Sequence, residues 1–234
     1  MKKYFILICL IFFCFIISGR EKMKEHSINS TSIDSKEKFV NTFQEKESIF
    51  GFDNDPWVDS IISKMTLEEK AGQVVFPYVY GKFYSDESSE FGRLKHLIED
   101  LHVGGFIFFQ SEIYEQAMLT NKLQQLSEIP LLFSADYERG LYPSAISSKT
   151  TNFPYNMAIG AADDSLLTFK MGEIIAKESR AIGIHQDYAP VVDVNNNPYN
   201  PIINVRSYGE DINLVTRFSN AFIKGLQENG VIAT

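Results

Sequence analysis

The chain is poor in cysteine and tryptophan and carries no block of basic residues. Its 234 residues include one tryptophan and two cysteines, Cys9 and Cys14, and both cysteines lie in an apolar run near the N-terminus. If that run is removed on export, the remaining chain has no thiol, which fits an oxidising compartment without requiring disulfides. The net charge of −8 arises from interspersed acidic and basic residues, and this argues against nucleic acid as a partner.

Signatures of several kinds of enzyme site are also missing. The sequence has no zinc-ligand cluster, no glycine-rich loop of the kind that cradles phosphates, and no Ser-His-Asp constellation. We therefore expect neither a metal nor a cofactor. His96 and His102 are expected on the exposed surface of a helix, whereas His185 lies at the start of a predicted strand and is expected to pack in the core.

The first residues predict an export signal. Lys2 and Lys3 precede an unbroken apolar run over residues 4–17, and small residues follow it, ending at Gly19. The run is too short for a comfortable membrane span but has the flanks of a secretory signal. We predict a signal peptide over residues 1–19 and no integral membrane domain after its cleavage.

Lipid attachment is an alternative to simple cleavage. Cys14 is the candidate attachment residue, although the bulky Phe13 precedes it where such sites have a small residue. Residues 20–50 are polar with mixed charge and predict a tether, and residues 51–234 predict the folded domain. The expected location is the periplasm or the extracellular space, either free or anchored at the membrane as a lipoprotein.

Helix and strand signals alternate from Asp55 onward. Asp55 before Pro56 is typical of a helix start, and Thr66 with Glu69 three residues later forms a capping box. Strands are predicted at residues 73–76, 106–109, 131–133, 187–194 and 231–233, and helices at 57–65, 67–72, 91–102, 114–128, 165–182 and 212–229.

The strand candidates are continuously apolar, which indicates burial on both faces. The order helix, glycine, apolar strand occurs three times, at Gly104, Gly183 and Gly230. At a fourth junction Pro130 lies between the helix and the strand. These features predict an α/β fold of about five parallel strands joined by helices. Periodicity does not choose between a doubly wound sheet and an incomplete TIM-like (β/α)8 barrel.

One long segment, residues 187–211, combines an apolar start with a tract rich in Asn and Pro and a single arginine, Arg206. Loops that follow buried strands are where α/β proteins build sites, so Arg206 is the leading cationic candidate. The alternative is a structured loop whose Asn side chains cap its own turns.

Two aspartates follow or lie within predicted strands. Asp136 follows the predicted strand at 131–133, at the end where parallel sheets bind ligands. Its carboxylate is a candidate for binding substrate hydroxyls. The alternative for Asp136 is to cap the following segment or to pair with Arg139. Asp193 lies between valines that are expected to be buried, which favours a structural hydrogen-bonding role.

Six motifs then allow a family to be named. They lie at residues 65–73, 104–107, 136–140, 153–158, 188–194 and 204–211. In this order the motifs resemble those of the N-terminal domain of glycoside hydrolase family 3, which holds β-N-acetylglucosaminidases and β-glucosidases. The resemblance covers residues 55 to 234.

The resemblance implies a (β/α)8 barrel that hydrolyses β-linked sugars with retention, through a glycosyl-enzyme intermediate. The carbohydrate substrate would be a β-N-acetylglucosaminide, of the cell-wall type, or a β-glucoside. The aspartate that matches Asp136 holds hydroxyls of the sugar at the cleavage point in this family. The arginine that matches Arg206 binds the same sugar.

Two departures from the family pattern qualify this expectation. The family's Lys-His-Phe-Pro-Gly segment, its His-Asp pair for proton transfer and its nucleophilic aspartate all come after the position of Thr234, so no catalytic residue is expected within this chain. The segment after Asp136 also lacks the usual second arginine, and Arg139 is the nearest one.

Three hypotheses follow from these motifs. The first is an N-terminal fragment of an exported β-glycosidase that is inactive by itself. The second is a non-catalytic sugar-binding protein or an inert remnant of such an enzyme. The third, which the ordered motifs disfavour, is an unrelated periplasmic binding protein of parallel α/β type.

Overall fold

The structure, a computed structural model, describes residues 55–141 and 149–234. The predicted signal peptide, the tether and Cys14 lie outside these ranges. The described residues form seven α-helices: α1 (Pro56–Lys64), α2 (Leu67–Gln73), α3 (Ser89–Glu99), α4 (Ile113–Leu126), α5 (Asn156–Ala162), α6 (Ser165–Ala181) and α7 (Ile212–Gln227). They also form five strands: β1 (Tyr78–Tyr80), β2 (Gly105–Phe109), β3 (Leu132–Ala135), β4 (Gln186–Asp187) and β5 (Ile232–Ala233).

The five strands form one parallel sheet in the order β1-β2-β3-β4-β5. Each strand pairs with the next one in sequence; for example, Val79 lies opposite Phe108, and Phe106 lies opposite Phe133. A doubly wound sheet reverses its strand order, whereas a barrel adds strands in sequence. Among the described strands β1 and β5 each have one neighbour, so the sheet is not closed, and the incomplete (β/α)8 barrel is the expectation that the topology fits.

Helix starts follow the capping signals in the sequence. Thr66 Oγ1 accepts a hydrogen bond from Glu69 N at 3.2 Å, and the Glu69 carboxylate accepts one from Thr66 N at 2.7 Å, which completes the capping box before α2. Asp55 Oδ1 accepts from Trp57 N at 2.8 Å at the start of α1. Asp164 caps α6 through its carboxylate.

The sheet has one face packed against helices and one open face. Alternate strand side chains and inward helix side chains form a single apolar core, which includes Val79, Phe106, Phe108, Phe133 and Ala135 from the strands and Leu94, Leu123, Ile175 and Phe222 from the helices. On the other face Tyr78, Tyr80 and Phe109 are exposed, whereas Ser134 in the middle of β3 is buried. A closed barrel would bury such a face in its interior.

Within the described ranges no helix has the length and apolarity needed to cross a membrane.

The glycines at two helix-to-strand junctions adopt left-handed conformations, with φ of +86° at Gly183 and +79° at Gly230. Only glycine takes up such angles without strain. The repeated helix–glycine–strand order therefore has a conformational basis at these two positions.

The first strand prediction, at residues 73–76, is wrong. The capping box starts a helix that continues to Gln73, whose side-chain amide donates to His102 O at 2.8 Å. Val74 and Val75 then lie exposed, and β1 begins only at Tyr78. An apolar tetrapeptide next to a well-capped helix was mistaken for a strand because both give the same short apolar run.

The strand predicted at residues 187–194 is shorter than expected. Main-chain pairing with β3 ends where Tyr188 N donates to Ala135 O at 2.9 Å. Pro190 follows and has no N–H to continue the ladder, so the chain leaves the sheet. Val192 is 58% exposed and Asp193 is exposed as well. The expectation that Asp193 lies between buried valines is therefore wrong.

Candidate functional site

Asp136 is the first residue after β3 and lies at the carboxyl edge of the sheet. The side chain of Asp136 is exposed at this edge, whereas Tyr137, the next residue, is buried on the helix-covered face. This is the side on which parallel α/β folds bind their ligands. The placement of Asp136 is the one expected from the sequence.

Arg206 reaches the same edge from a different loop. It ends a short 3-10 helix, Asn204–Arg206, at the far end of the Asn-rich tract after β4. Its Nε lies 3.1 Å from Oε1 and 3.0 Å from Oε2 of Glu138, and its Nη2 contacts Oε1 as well. The Glu138 carboxylate thus holds the guanidinium by a two-pronged ion pair.

The charges in this cluster affect one another. Partial burial and the negative charge of Glu138 raise the pKa of Asp136, and the positive charge of Arg206 acts in the opposite direction. Hydrogen bonding to Glu138 raises the pKa of Arg206 above its ordinary value. Asp136, Glu138 and Arg206 therefore form one electrostatic unit, which we call the Asp136–Glu138–Arg206 cluster.

The main chain around Arg206 is fixed by residues from two other motifs. The side-chain amide of Asn156, at the start of α5, donates to Arg206 O at 2.8 Å. The Ser207 hydroxyl donates to Asp193 O at 2.6 Å. Asp193 thus contributes a main-chain carbonyl rather than a buried carboxylate, and the motifs around residues 156, 193 and 206 converge on one loop.

The asparagines before Arg206 cap turns within their own loop. Asn197 Oδ1 accepts from Tyr199 N at 3.0 Å, and Asn200 Oδ1 accepts from Ile202 N at 2.9 Å. The alternative interpretation of this tract, a loop whose Asn side chains stabilise its own turns, is confirmed. It is compatible with a binding role, because the rigid loop carries Arg206 to the edge of the sheet.

Arg139 contacts the segment before α5. Its guanidinium carbon lies 4.3 Å above the ring centre of Tyr155, and its Nη1 is 3.4 Å from Phe153 O. These contacts place Arg139 as a cation–π and hydrogen-bonding partner of the 153–158 motif.

Asp187 is a site-edge residue that the sequence analysis did not single out. It is the last residue of β4 and is fully buried, and its Oδ1 accepts a hydrogen bond from Tyr137 N at 2.8 Å. Burial raises the pKa of Asp187 to about 7. A carboxylate inside a predicted buried strand is costly, and this conflict was the signal that could have identified it.

Glu138 is a second residue of this cluster that the sequence analysis did not single out. It stands two positions after Asp136, yet its partner Arg206 lies in another loop, and no local spacing connects the two residues. A partly shielded arginine at this edge favours a counter-charge, and the acidic residues next to Asp136 are the nearest in sequence that could supply one.

The three histidines of the domain lie away from the cluster. His185 Nδ1 accepts from Phe133 N at 3.1 Å, and its ring stacks on the Phe133 ring at 5.9 Å between centres, so it packs against the core. Partial burial lowers the pKa of His185. His96 is exposed, as expected, whereas His102 is half-buried. Across residues 55–141 and 149–234 no group of three His, Cys, Asp or Glu side chains is arranged to hold a metal ion.

The geometry indicates what kind of molecule this edge of the sheet can bind. A sequentially ordered parallel sheet carries, at its carboxyl edge, two carboxylates that can accept hydrogen bonds and a guanidinium that can donate them. This combination suits recognition of a polar, hydroxyl-rich small molecule by a barrel-type α/β domain.

The chain belongs to glycosyl hydrolase family 3. Residues 66–234 match the sequence pattern described as the Glycosyl hydrolase family 3 N terminal domain. The β-hexosaminidase A of Pseudoalteromonas piscicida is 36% identical over 152 residues, which are 60% of this chain and 25% of that protein. A β-N-acetylglucosaminidase/β-glucosidase of Cellulomonas fimi is 30% identical over 187 residues, which are 79% of this chain and 32% of that protein.

Solved structures agree with this assignment. A family 3 β-N-acetylglucosaminidase from Paenibacillus sp. str. FPU-7 superposes with a TM-score of 0.65 at 38% identity and covers 72% of this chain and 32% of its own. The chain thus spans about a quarter to a third of the length of these relatives. The resemblance found in the sequence is confirmed at the level of family and fold.

Proposed function

We propose that this chain forms the sugar-holding part of an exported, retaining β-glycosidase, with the Asp136–Glu138–Arg206 cluster as its contact with the sugar. The observation that carries the proposal is that Asp136 and Arg206 come from two separate loops to the same edge, where Glu138 pairs with Arg206 and both charges act on Asp136. Carboxylates accept hydrogen bonds from sugar hydroxyls, and the guanidinium donates to the same sugar's oxygens.

The proposed substrates are β-N-acetylglucosaminides of the cell-wall type or β-glucosides. The names of the relatives support both classes, because one is a β-hexosaminidase and another combines β-N-acetylglucosaminidase with β-glucosidase. The proposed reaction is hydrolysis of an O-glycosyl bond through a covalent sugar intermediate, which requires a nucleophile and a proton donor on either side of the bond.

We assign no nucleophile and no proton donor within the described residues. Their proposed contribution is to bind and orient the sugar, and turnover by these residues alone is not expected. The alternative function is a non-catalytic sugar-binding protein. Neither function predicts hydrolysis of an aryl β-N-acetylglucosaminide or an aryl β-glucoside by the purified chain, and turnover would contradict both the proposed lack of catalytic groups and the non-catalytic alternative.

Sugar binding by the cluster is tested with two conservative variants. Asp136→Asn and Arg206→Lys are each expected to weaken binding of N-acetylglucosamine or glucose, measured by NMR titration, by about tenfold. Asp136→Asn removes the charge of the acceptor, and Arg206→Lys removes the planar guanidinium that donates in a fixed geometry. Asp163→Asn and Arg217→Lys are matched controls, because Asp163 and Arg217 form an exposed ion pair elsewhere. Equal affinities in cluster variants and controls would contradict the proposal.

We also propose export through residues 1–19, with residues 20–50 as a tether and Cys14 as the site of any lipid. The basis is the charged start and the apolar run of the sequence. Mass spectrometry of the mature N-terminus tests the proposal. A chain that begins near residue 20 supports simple cleavage, one that begins at a diacylated Cys14 supports anchoring, and an intact Met1 contradicts both.

A further inference from the structure

Asp187 connects the last strand of the sheet to the loop that carries Asp136. Its main-chain carbonyl accepts from Thr234 N at 3.0 Å, directly after β5. Its side-chain Oδ1 accepts from Tyr137 N at 2.8 Å, directly after Asp136. One fully buried residue therefore joins two neighbours of β4 at the carboxyl edge.

A side-chain acceptor is needed at this position. Main-chain pairing between β3 and β4 stops at the bond from Tyr188 N to Ala135 O, and Pro190 then takes the chain out of the sheet. The next strand-like N–H on the β3 side, that of Tyr137, meets no main-chain carbonyl from β4. The Asp187 carboxylate takes the place of that carbonyl, so a buried N–H is satisfied where the ladder ends.

Tyr137 is the residue whose orientation fixes the cluster. It lies between Asp136 and Glu138 in sequence, and its own ring is buried. Asp187 holds the Tyr137 N–H, and the core holds the Tyr137 ring. The main chain at Tyr137 is therefore fixed, and it sets the directions of the Asp136 and Glu138 side chains on either side. Glu138 in turn holds Arg206. Asp187 is thus linked to Arg206 by two contacts, which the main chain from Tyr137 to Glu138 joins.

The second carboxylate oxygen of Asp187 shows that this arrangement has a cost. Among the described residues Asp187 Oδ2 has no hydrogen-bond partner, although it is buried. Burial raises the pKa of Asp187, and the negative charges of Asp136 and Glu138 raise it further, while the Tyr137 N–H lowers it. An apolar residue would fill the space without this penalty, which argues for a role beyond packing.

We propose that Asp187 is a positioning residue that holds the Tyr137 main chain and thereby orients Asp136 and Glu138 for the sugar. The proposal deepens, and rests on, the proposed sugar binding by the cluster. Asp187 itself is buried beneath the loop and does not touch the sugar. Its contribution is to keep the two carboxylates and Arg206 in the binding arrangement before the sugar arrives.

Two substitutions separate positioning from packing. Asp187→Asn keeps an acceptor oxygen of the same shape, and Asp187→Ala removes it. We expect the alanine variant to raise the dissociation constant for N-acetylglucosamine or glucose by about tenfold and to change the ¹⁵N and ¹H shifts of the Arg206 Nε–H group. We expect the asparagine variant to keep the dissociation constant within about twofold of the unsubstituted chain, the size of ordinary context effects. The Arg206 Nε–H shifts should stay close to those of the unsubstituted chain. A folded Asp187→Ala chain with unchanged binding and an unchanged Arg206 resonance overturns the proposal.

A measurement without substitution at Asp187 covers the case in which the alanine variant does not fold. Asp187 is linked to Glu138 through Tyr137, so Glu138→Gln should shift the Asp187 carboxyl carbon resonance, whereas the Tyr137 amide is adjacent to the substituted residue and shifts in either case. If the Asp187 resonance does not move, the proposal fails. If the unsubstituted chain binds neither sugar, the proposed function fails, while the Arg206 and Asp187 resonances still decide whether Asp187 organises the cluster.

Discussion

Arg206 and Glu138 are 68 positions apart in sequence and form one two-pronged ion pair at the carboxyl edge of the sheet. Their side chains are 35% and 24% exposed, so the pair is partly shielded from water. One partner follows β3 and the other follows β4, and the pair therefore fixes the two loops relative to each other. Asp136 lies within the field of both charges.

The first prediction concerns this ion pair. Glu138→Gln removes the negative charge but keeps the size of the side chain, and we expect the free energy of unfolding to fall by about 1–2 kcal/mol because a partly buried, bidentate pair is lost. We also expect weaker sugar binding, since Arg206 is no longer oriented. Urea unfolding and NMR titration measure the two effects.

The control for this prediction is Glu173→Gln. Glu173 pairs with Lys177 on the surface of α6, and the lysine side chain is 63% exposed. Such helix-surface pairs contribute little, and we expect a change within about 0.5 kcal/mol. If the two substitutions lower the free energy of unfolding equally, the Arg206–Glu138 pair contributes no more to stability than a helix-surface pair.

The second prediction concerns the main chain that carries Arg206. Asn156 is buried, and its amide donates to Arg206 O at 2.8 Å. Asn156→Ala should lower the free energy of unfolding by about 2 kcal/mol, because the partly buried Arg206 carbonyl loses its donor and a cavity remains at the buried position 156. Urea unfolding measures the loss.

Asn229→Ala provides the comparison for Asn156→Ala. The Asn229 amide also donates to a main-chain carbonyl, Gly225 O at 2.9 Å, but the contact is local and lies just after α7. We expect a loss of about 0.5–1 kcal/mol at this less buried position. A larger loss at Asn229 than at Asn156 would show that the Arg206 loop is held by other contacts.

The gross architecture and the location of the two leading candidate residues could be predicted from the sequence. Buried apolar strands that alternate with helices specify a parallel sheet, and such a sheet gathers its loops at one edge. Asp136 and Arg206 were placed at that edge because each follows a strand. No tertiary information is needed for this argument, which depends only on chain direction.

The partners of these residues could not be predicted in the same way. The Arg206–Glu138 pair depends on how far the loop after β4 folds back, and the Asp187–Tyr137 bond depends on where the ladder between two strands stops. Both are long-range outcomes of packing. The misplaced first strand has a similar origin, because a short apolar run is equally consistent with a helix end and a strand.

The third prediction concerns the close approach of α5 to the Arg206 loop. A methyl group on Gly160 would lie 2.0 Å from Tyr208 O, which is main chain and cannot move aside. Gly160→Ala should lower the free energy of unfolding by about 2–3 kcal/mol through overpacking. It should also weaken sugar binding, because the loop that ends in Arg206 is displaced.

The matched substitution is Gly92→Ala in α3, where a methyl group would meet no atom within 4 Å. Alanine has the higher helix propensity, and we expect the free energy of unfolding to rise by about 0.5–1 kcal/mol. The midpoint temperatures of thermal unfolding of the two variants should move in opposite directions from that of the unsubstituted chain. Similar destabilisation by both substitutions would contradict the proposed contact at Gly160.

The fourth prediction is the pH dependence that Asp187 gives to stability. Burial raises the pKa of Asp187 to about 7 in the folded chain, whereas an aspartate in the unfolded chain ionises near its ordinary value of about 3.9. Between about pH 4 and pH 7 the folded chain therefore holds a proton that the unfolded chain has released. The contribution of Asp187 to the free energy of unfolding therefore falls as the pH rises through this interval and becomes level above it, because the unfolded state binds fewer protons at this residue.

Asp187→Asn removes this titration while keeping the shape of the side chain. The difference in free energy of unfolding between the unsubstituted chain and the variant should therefore decline from pH 4.5 to pH 7.5, by an amount on the order of 3 kcal/mol. The neutral side chain should make the variant relatively more stable as the pH rises, since the charged form of Asp187 is buried near the negative charges of Asp136 and Glu138. Urea unfolding at several pH values measures the difference, and parallel profiles for the two proteins would show that Asp187 ionises as readily in the folded chain as in the unfolded one.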